Sequence, residues 1–108
     1  MSDAQHDFSV RIPDVIRQGR NKAKTIDAVF VFVITGNGGG VWTVDCKNKV
    51  GVHEGAQADA DCTIELSAED WETISENAAK AMELYFTGKL KVSGNVMLAT
   101  KLGQILQD

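Results

Sequence analysis

Ten consecutive residues, Ile26 to Thr35 (Ile-Asp-Ala-Val-Phe-Val-Phe-Val-Ile-Thr), are β-branched, aromatic or apolar almost without a break. A strand formed from them carries apolar side chains on both faces, which is the pattern of a central strand rather than an edge. The run therefore predicts a sheet built outward from this segment. Gly36-Asn37-Gly38-Gly39-Gly40 follows and supplies the residues of a hairpin loop. Val41 to Cys46 then alternates Trp42, Val44 and Cys46 against Val41, Thr43 and Asp45. After the turn Lys47-Asn48-Lys49, a strand is expected over Val50 to His53, and another over Ala60 to Leu66, where Cys62, Ile64 and Leu66 alternate with Thr63 and Glu65.

Helical spacing flanks these strands. Phe8, Ile12, Val15 and Ile16 stand at i, i+4, i+7 and i+8, and a helix is expected from about Pro13 to Asn21, with Pro13 in its first turn. Ser67 starts a second helical region. It is placed to cap, Asp70 answers it three residues on, Glu69 and Asp70 suit the positive end of the helix dipole, and Leu66 and Trp71 have the spacing of a hydrophobic staple. Trp71, Ile74 and Ala78 follow one face; Met82, Tyr85 and Phe86 form a second cluster that Gly88 can end in a left-handed conformation. Leu90 and Val92 alternate with Lys89 and Lys91 as a fifth strand, and Gly94 leads into a helix over Val96 to Leu106. That helix carries Val96, Met97, Leu98, Ala99, Leu102, Ile105 and Leu106, more apolar surface than one packing face requires. It is either fully enclosed or lines a cavity that holds an apolar ligand.

With 108 residues and 44% apolar content, the chain suits one globular domain without a disulfide or metal staple. The expected division is a flexible tail over residues 1–8 and a single domain over 9–108. A net charge of −4 argues against a nucleic-acid footprint, which needs a basic face. The charge is uneven: Arg11, Arg17, Arg20, Lys22 and Lys24 cluster near the start, whereas nine acids lie between Glu54 and Glu83. Each cluster reads first as a solvated helix face; the sharper reading of the basic one is contact with anionic headgroups or a phosphorylated ligand. No stretch approaches the length of a membrane span, and the start lacks the pattern of a secretory signal.

The residue types of catalysis are scarce. His6 falls in the expected tail, and His53 sits at a strand end beside Glu54. Cys46 and Cys62 lie on the apolar sides of their strands, where a thiol behaves as a small inert hydrophobe. Zinc would need close-set pairs of ligands, which the sequence does not contain. Gly36 to Gly40 leads into a strand, and Gly88-Lys89-Leu90 lacks the flanking residues of a phosphate loop, so both read as turns. No catalytic residue, metal or cofactor is expected.

Apolar volume remains, and here three motifs converge. Trp42-Thr43-Val44-Asp45-Cys46-Lys47-Asn48 resembles the Trp-x-(Val/Leu)-Asp-(Val/Leu)-Lys strand of the type-2 sterol carrier protein family. Ala60-Asp61-Cys62-Thr63-Ile64 resembles its Ala-Asp-x-Thr-Ile strand, and Phe86-Thr-Gly-Lys-Leu-Lys-Val-Ser-Gly-Asn95, followed by Leu98 to Leu102, resembles its most recognisable stretch. The resemblance runs from about Ile12 to Leu106. It implies an α+β fold, a five-stranded mixed sheet in the order 3-2-1-4-5 with helices layered on one face, and a hydrophobic tunnel between them for fatty acids, fatty acyl-CoA esters or sterols. In that order Cys46 and Cys62 stand about two strand spacings apart, roughly 9.5 Å, too far for a disulfide.

If Trp42, Val44, Cys62 and Ile64 face the helices, the alternation puts Phe30, Phe32 and Ile34 on the same side. The residues expected to line the tunnel are Phe30, Phe32, Ile34, Trp42 and Ile64 from the sheet, with Ile74, Met82, Phe86, Met97, Leu102 and Ile105 from the helices; plain core packing is the alternative for each. Trp71 is assigned to structure. An acyl chain of about fifteen methylenes at ~0.8 kcal/mol each gives a gross ~12 kcal/mol, before the cost of immobilisation. Lys89, Lys91, Lys101 and the Arg17 to Lys24 cluster read as solvated, or else as the groups that meet a carboxylate or CoA phosphate at the mouth.

The expected role is therefore a non-catalytic lipid carrier, a monomer or weak dimer with transient membrane contact and no nucleic-acid partner. Because the chain stops at Leu106-Gln107-Asp108 and not at a Ser-Lys-Leu type address, a cytoplasmic location is expected, with a peroxisomal one as the alternative. Val29, Val31 and Val33 point away from the expected tunnel as an apolar strip. That strip motivates a second reading, an interaction or dimerisation module whose cavity is vestigial.

Overall fold

The computed structural model describes residues 4–19, 25–47, 50–56, 60–77, 80–95 and 97–98. The chain begins with α1 (Ala4–His6), a π-helical turn (Asp7–Arg11) and α2 (Ile12–Gln18). The strands β1 (Val29–Thr35), β2 (Gly40–Asp45), β3 (Gly51–Glu54) and β4 (Cys62–Ser67) follow. Two helices, α3 (Ala68–Glu76) and α4 (Lys80–Phe86), precede β5 (Lys91–Gly94).

The five strands form one sheet in the order β3-β2-β1-β4-β5, as the resemblance implied. The apolar run starts the central strand later than its composition suggests. Asp27 takes a left-handed backbone (φ 52°), a conformation that aspartate tolerates better than its β-branched neighbours would, so the extended segment begins at Val29 and not Ile26. β1 pairs antiparallel with β2 and parallel with β4, which makes the sheet mixed. The register aligns Phe30 with Val44 and Cys62, and Phe32 with Trp42 and Ile64. Side chains directly opposite across a ladder share a face, so these residues line one side of the sheet together, with Val52 and Val92 further out.

On the other side Val29 and Val31 are 1% and 3% exposed. Those two valines are out of water within one chain, and Val33 is half-buried. Phe8 packs on the opposite face of the sheet, against Phe32 and Trp42.

A flexible tail over residues 1–8 is corrected from Ala4 onward, where the chain is helical and Ala4, Asp7 and Phe8 are buried. Continuing the stripe one helical step back from Phe8 reaches Ala4, and both side chains join Ile12 and Ile16 in the core. The helical run is not regular. The Ile12 N–H donates to the Asp7 carbonyl, five residues back, and the run returns to α geometry where Pro13 contributes no donor. α2 ends at Gln18, with the Gly19 N–H on the Val15 carbonyl; the expected extension to Asn21 lies partly outside the described residues.

The helix after β4 starts as expected, with the Asp70 N–H donating to Ser67 Oγ at 3.1 Å. α4 closes at Gly88, whose φ of 81° is left-handed, and the Lys89 and Leu90 N–H groups both donate to the Leu84 carbonyl.

Gly94 has two independent reasons to be glycine. Its φ is +89°, and a Cβ there would run into the Asp61 carbonyl oxygen. Asp61 is a hub: its carboxylate accepts the Val29 N–H at 2.9 Å, its own N–H donates to Val29 O, and its carbonyl accepts from Asn95. Gly94→Ala would push β5 away from this junction, and a loss of about 2–3 kcal/mol in urea unfolding is expected. An unchanged midpoint would show that β5 can reseat without cost.

Candidate functional site

The buried face of the sheet is one continuous apolar surface. Phe30, Phe32, Ile34, Trp42 and Ile64, all expected from the alternation, are buried together with Val44, Cys46, Cys62 and Leu66. Helices close over it. Phe8 enters from the π-helical turn, its ring stacked on Trp42 (centroids 4.7 Å apart) and tilted against Phe32 (5.1 Å) and Trp71 (4.8 Å). Trp71 from α3 meets the edge of Phe32 at 5.8 Å. Four aromatic rings thus pack against one another above β1 and β2.

Beside this cluster lies a buried polar contact that the residue pattern did not reveal. Asp7 is fully buried; its Oδ2 accepts from the Trp71 indole N–H at 2.7 Å and its Oδ1 from Arg11 Nε at 2.8 Å. The two donors leave each oxygen of the buried carboxyl group with a hydrogen-bond partner. The only local signal was the i, i+4 spacing of Asp7 and Arg11; the Trp71 partner is 64 residues away and invisible to any short-range pattern.

The helical residues named from sequence divide. Ile74 packs against the core. Met82 and Phe86 do not point inward: they are 58% and 77% exposed. The reason is geometric. Ala81 and Leu84 take the inward side of α4, and residues two positions from Leu84 along a helix project from the far side. Met97 is likewise exposed, while its neighbour Leu98 turns toward the core. Leu102 and Ile105 lie outside the described residues.

Toward β4 and β5 the cover is thinner. Ile64 remains buried, but Ile74, Ala81 and Val92 pack against the core only partly shielded from water. A cavity of about 330 Å³ opens elsewhere, between the β1–β2 loop and the start of α3, with Thr35, Ser67, Glu69 and Glu72 among its walls. Ala4 and Ala68 complete its lining, and none of the expected tunnel residues reaches it.

Both cysteines are buried free thiols. Burial, and then the charge of Asp45 beside it, pushes the Cys46 thiol up to about 11; burial and Asp61 push Cys62 in the same direction. Neither is poised as a thiolate nucleophile. His53 is exposed on the edge strand β3, on the side of the sheet away from the apolar face. Among the described residues no group of three or more His, Cys, Asp or Glu could hold a metal ion.

The raised pKa of the Cys46 thiol makes stability depend on pH. The folded state holds the proton more tightly than the unfolded state, so the contribution of Cys46 is intact below the ordinary thiol value near 9.0 and is lost as pH climbs toward about 11. Urea midpoints are expected to fall across that interval, and Cys46→Ala should flatten the fall.

Comparison with known proteins agrees with this architecture. The model of the SCP-2 sterol transfer family matches residues 11–107. The peroxisomal multifunctional enzyme type 2 of Mus musculus is 41% identical over 95 residues, which is 83% of this chain and 13% of that protein. A fatty acid-binding protein of Yarrowia lipolytica is 37% identical over 110 residues, 88% of this chain and 85% of its own length. Among solved structures, the apo form of sterol carrier protein 2 from Yarrowia lipolytica superposes with a TM-score of 0.74 at 35% identity, covering 89% of this chain and 87% of that one. Sterol carrier protein 2 of Aedes aegypti in complex with palmitate has a TM-score of 0.62 at 26% identity, covering 86% and 91%.

Proposed function

This chain belongs to the SCP-2 sterol transfer family, and from that membership we propose that it is a non-catalytic carrier that takes up a fatty acyl chain or similar lipid and hands it on. The observation that carries the reading is the family match over an apolar interior face that bears no reactive group. The palmitate complex of the Aedes aegypti relative supports a fatty acid as ligand. The driving force is removal of methylenes from water, ~0.8 kcal/mol for each one buried, and selectivity among chains of similar length is loose for the same reason.

The lipid lies on the β4–β5 side of the interior, along Ile64 and Val92 and beneath Ile74 and Ala81. Phe8 occupies the alternative place above Phe32 and Trp42, whereas side chains on the β4–β5 side are incompletely covered and gain from a ligand's contact. Of the residues named from sequence, Ile64 and Ile74 are thus the ones assigned to direct ligand contact, with Ile34 beside them on β1.

The test is displacement. A fluorescent fatty acid should bind the purified protein and be released by palmitate or its CoA ester, and gently purified protein should carry acyl chains visible by native mass spectrometry. Ile74→Asp, at a position already partly in water, is expected to weaken fatty-acid binding by about tenfold or more, because the carboxylate must be desolvated against the chain. His53→Ala should leave binding unchanged. Absence of saturable binding would remove the carrier reading altogether.

A further inference from the structure

The register sets one row of side chains across the inner face of the sheet: Trp42 on β2, Phe32 on β1, Ile64 on β4 and Val92 on β5. Their cover changes along the row. Phe8 lies over Trp42 and Phe32, with ring centroids 4.7 and 5.1 Å away, and Trp71 stands edge-on to Phe32 at 5.8 Å. One strand further on Ile64 is still buried, but Val92 is only half-buried, on an edge strand whose Lys91 and Ser93 are exposed.

Phe8 stands where two covers meet. It belongs to the N-terminal helical run, whose α2 packs against β3, and its ring lies 4.8 Å from Trp71 on α3, the helix that packs against β1 and β4. The neighbouring residue fixes it there. Asp7 accepts from Trp71 Nε1 at 2.7 Å and from Arg11 Nε at 2.8 Å, so the turn that carries Phe8 is tied to α3 by a buried hydrogen bond. Swinging the ring aside would break that bond in a dry interior, and the ring is held as a fixed surface.

We propose that Phe8, backed by Trp71, is the end wall of the acyl site and sets how long a chain the protein takes up in full. The inference rests on the carrier reading and adds to it an orientation and a length limit. The carboxylate of a fatty acid stays at the β5 edge, where the cover is thinnest, because an ionised group without a partner is costly to bury. The methyl end runs inward along Val92 and Ile64 and stops at the Phe8 ring above Phe32. From β5 to β1 is two strand spacings, ~9.5 Å, within the reach of an extended fatty acid. Each methylene that finds cover raises affinity about fourfold, and a methylene beyond the wall adds nothing.

The experiment is displacement of a fluorescent fatty acid by saturated acids from octanoate to arachidate. For the parent, affinity should climb by about fourfold per methylene and then break to a plateau. Phe8→Leu keeps an apolar anchor but shortens the wall; its break should come about two methylenes later, so that the first acid beyond the parent's limit gains about fourfold or more. Val10→Ala, at an exposed position on the same turn, should keep the parent's break. A second measurement needs no substitution. Both tryptophans of the chain, Trp42 and Trp71, border Phe8, so tryptophan fluorescence reports from the wall. Palmitate brominated at its terminal carbon should quench that fluorescence more deeply than palmitate brominated beside the carboxylate.

The proposal is overturned if Phe8→Leu binds with the parent's break, if Val10→Ala moves the break as far as Phe8→Leu does, or if the two brominated acids quench alike. Each of those results leaves fatty-acid binding, and with it the carrier reading, in place. Absence of saturable binding by the parent would instead overturn the carrier reading and this inference together.

Discussion

Phe8→Ala is expected to lower the unfolding free energy by about 3–5 kcal/mol, a large share of the whole stability of a domain of this size. The ring is 1% exposed and touches Phe32, Trp42 and Trp71 at centroid distances near 5 Å, so its removal leaves a void that three aromatic walls on separate elements cannot readily close. The measurement is urea denaturation followed by far-UV circular dichroism, with Val10→Ala as the control. Val10 is two residues away on the same turn but 55% exposed, and its substitution should stay within about 0.5 kcal/mol. Should Phe8→Ala also fall within that margin, the N-terminal segment would be the loose tail that its composition suggested and the helical cover would be lost from the account.

The second large effect belongs to Asp7. Truncation to alanine strands the Trp71 indole N–H in a dry interior and removes the partner of Arg11, for an expected loss of about 3 kcal/mol. Asp7→Asn keeps one oxygen acceptor and should cost roughly half as much. A double-mutant cycle isolates the contact: in the Asp7→Ala background the additional change Trp71→Phe removes the orphaned donor and should cost clearly less than it does alone. Simple additivity would mean that Asp7 stabilises only its own helix and does not fasten it to α3.

Most of the sheet is legible in the sequence. Alternation placed Phe30, Phe32, Ile34, Trp42, Val44, Cys62 and Ile64 on one face, and the register bears that out residue by residue, because a period of two leaves no freedom once one face is apolar. Strand ends moved by one to three residues, as at Val29, where a single left-handed aspartate outweighed β propensity. The helices were harder. On α4 a cluster at i, i+3 and i+4 looked like a packing face, yet Met82, Tyr85 and Phe86 lie outward and Ala81 and Leu84 inward. Helical spacing shows which side chains share a face, not which way that face turns.

The chain's order of residues was enough to fix the sheet's apolar face and the Ser67 cap, because each depends on near neighbours and on fixed backbone periods. Tertiary structure alone decided that Phe8 fills the space over β1 and β2, that Asp7 closes on a tryptophan 64 residues distant, and that α4 turns its larger apolar side to water. These depend on how separately formed elements dock, and docking is settled by packing and desolvation across the whole interior, where no local pattern carries the information.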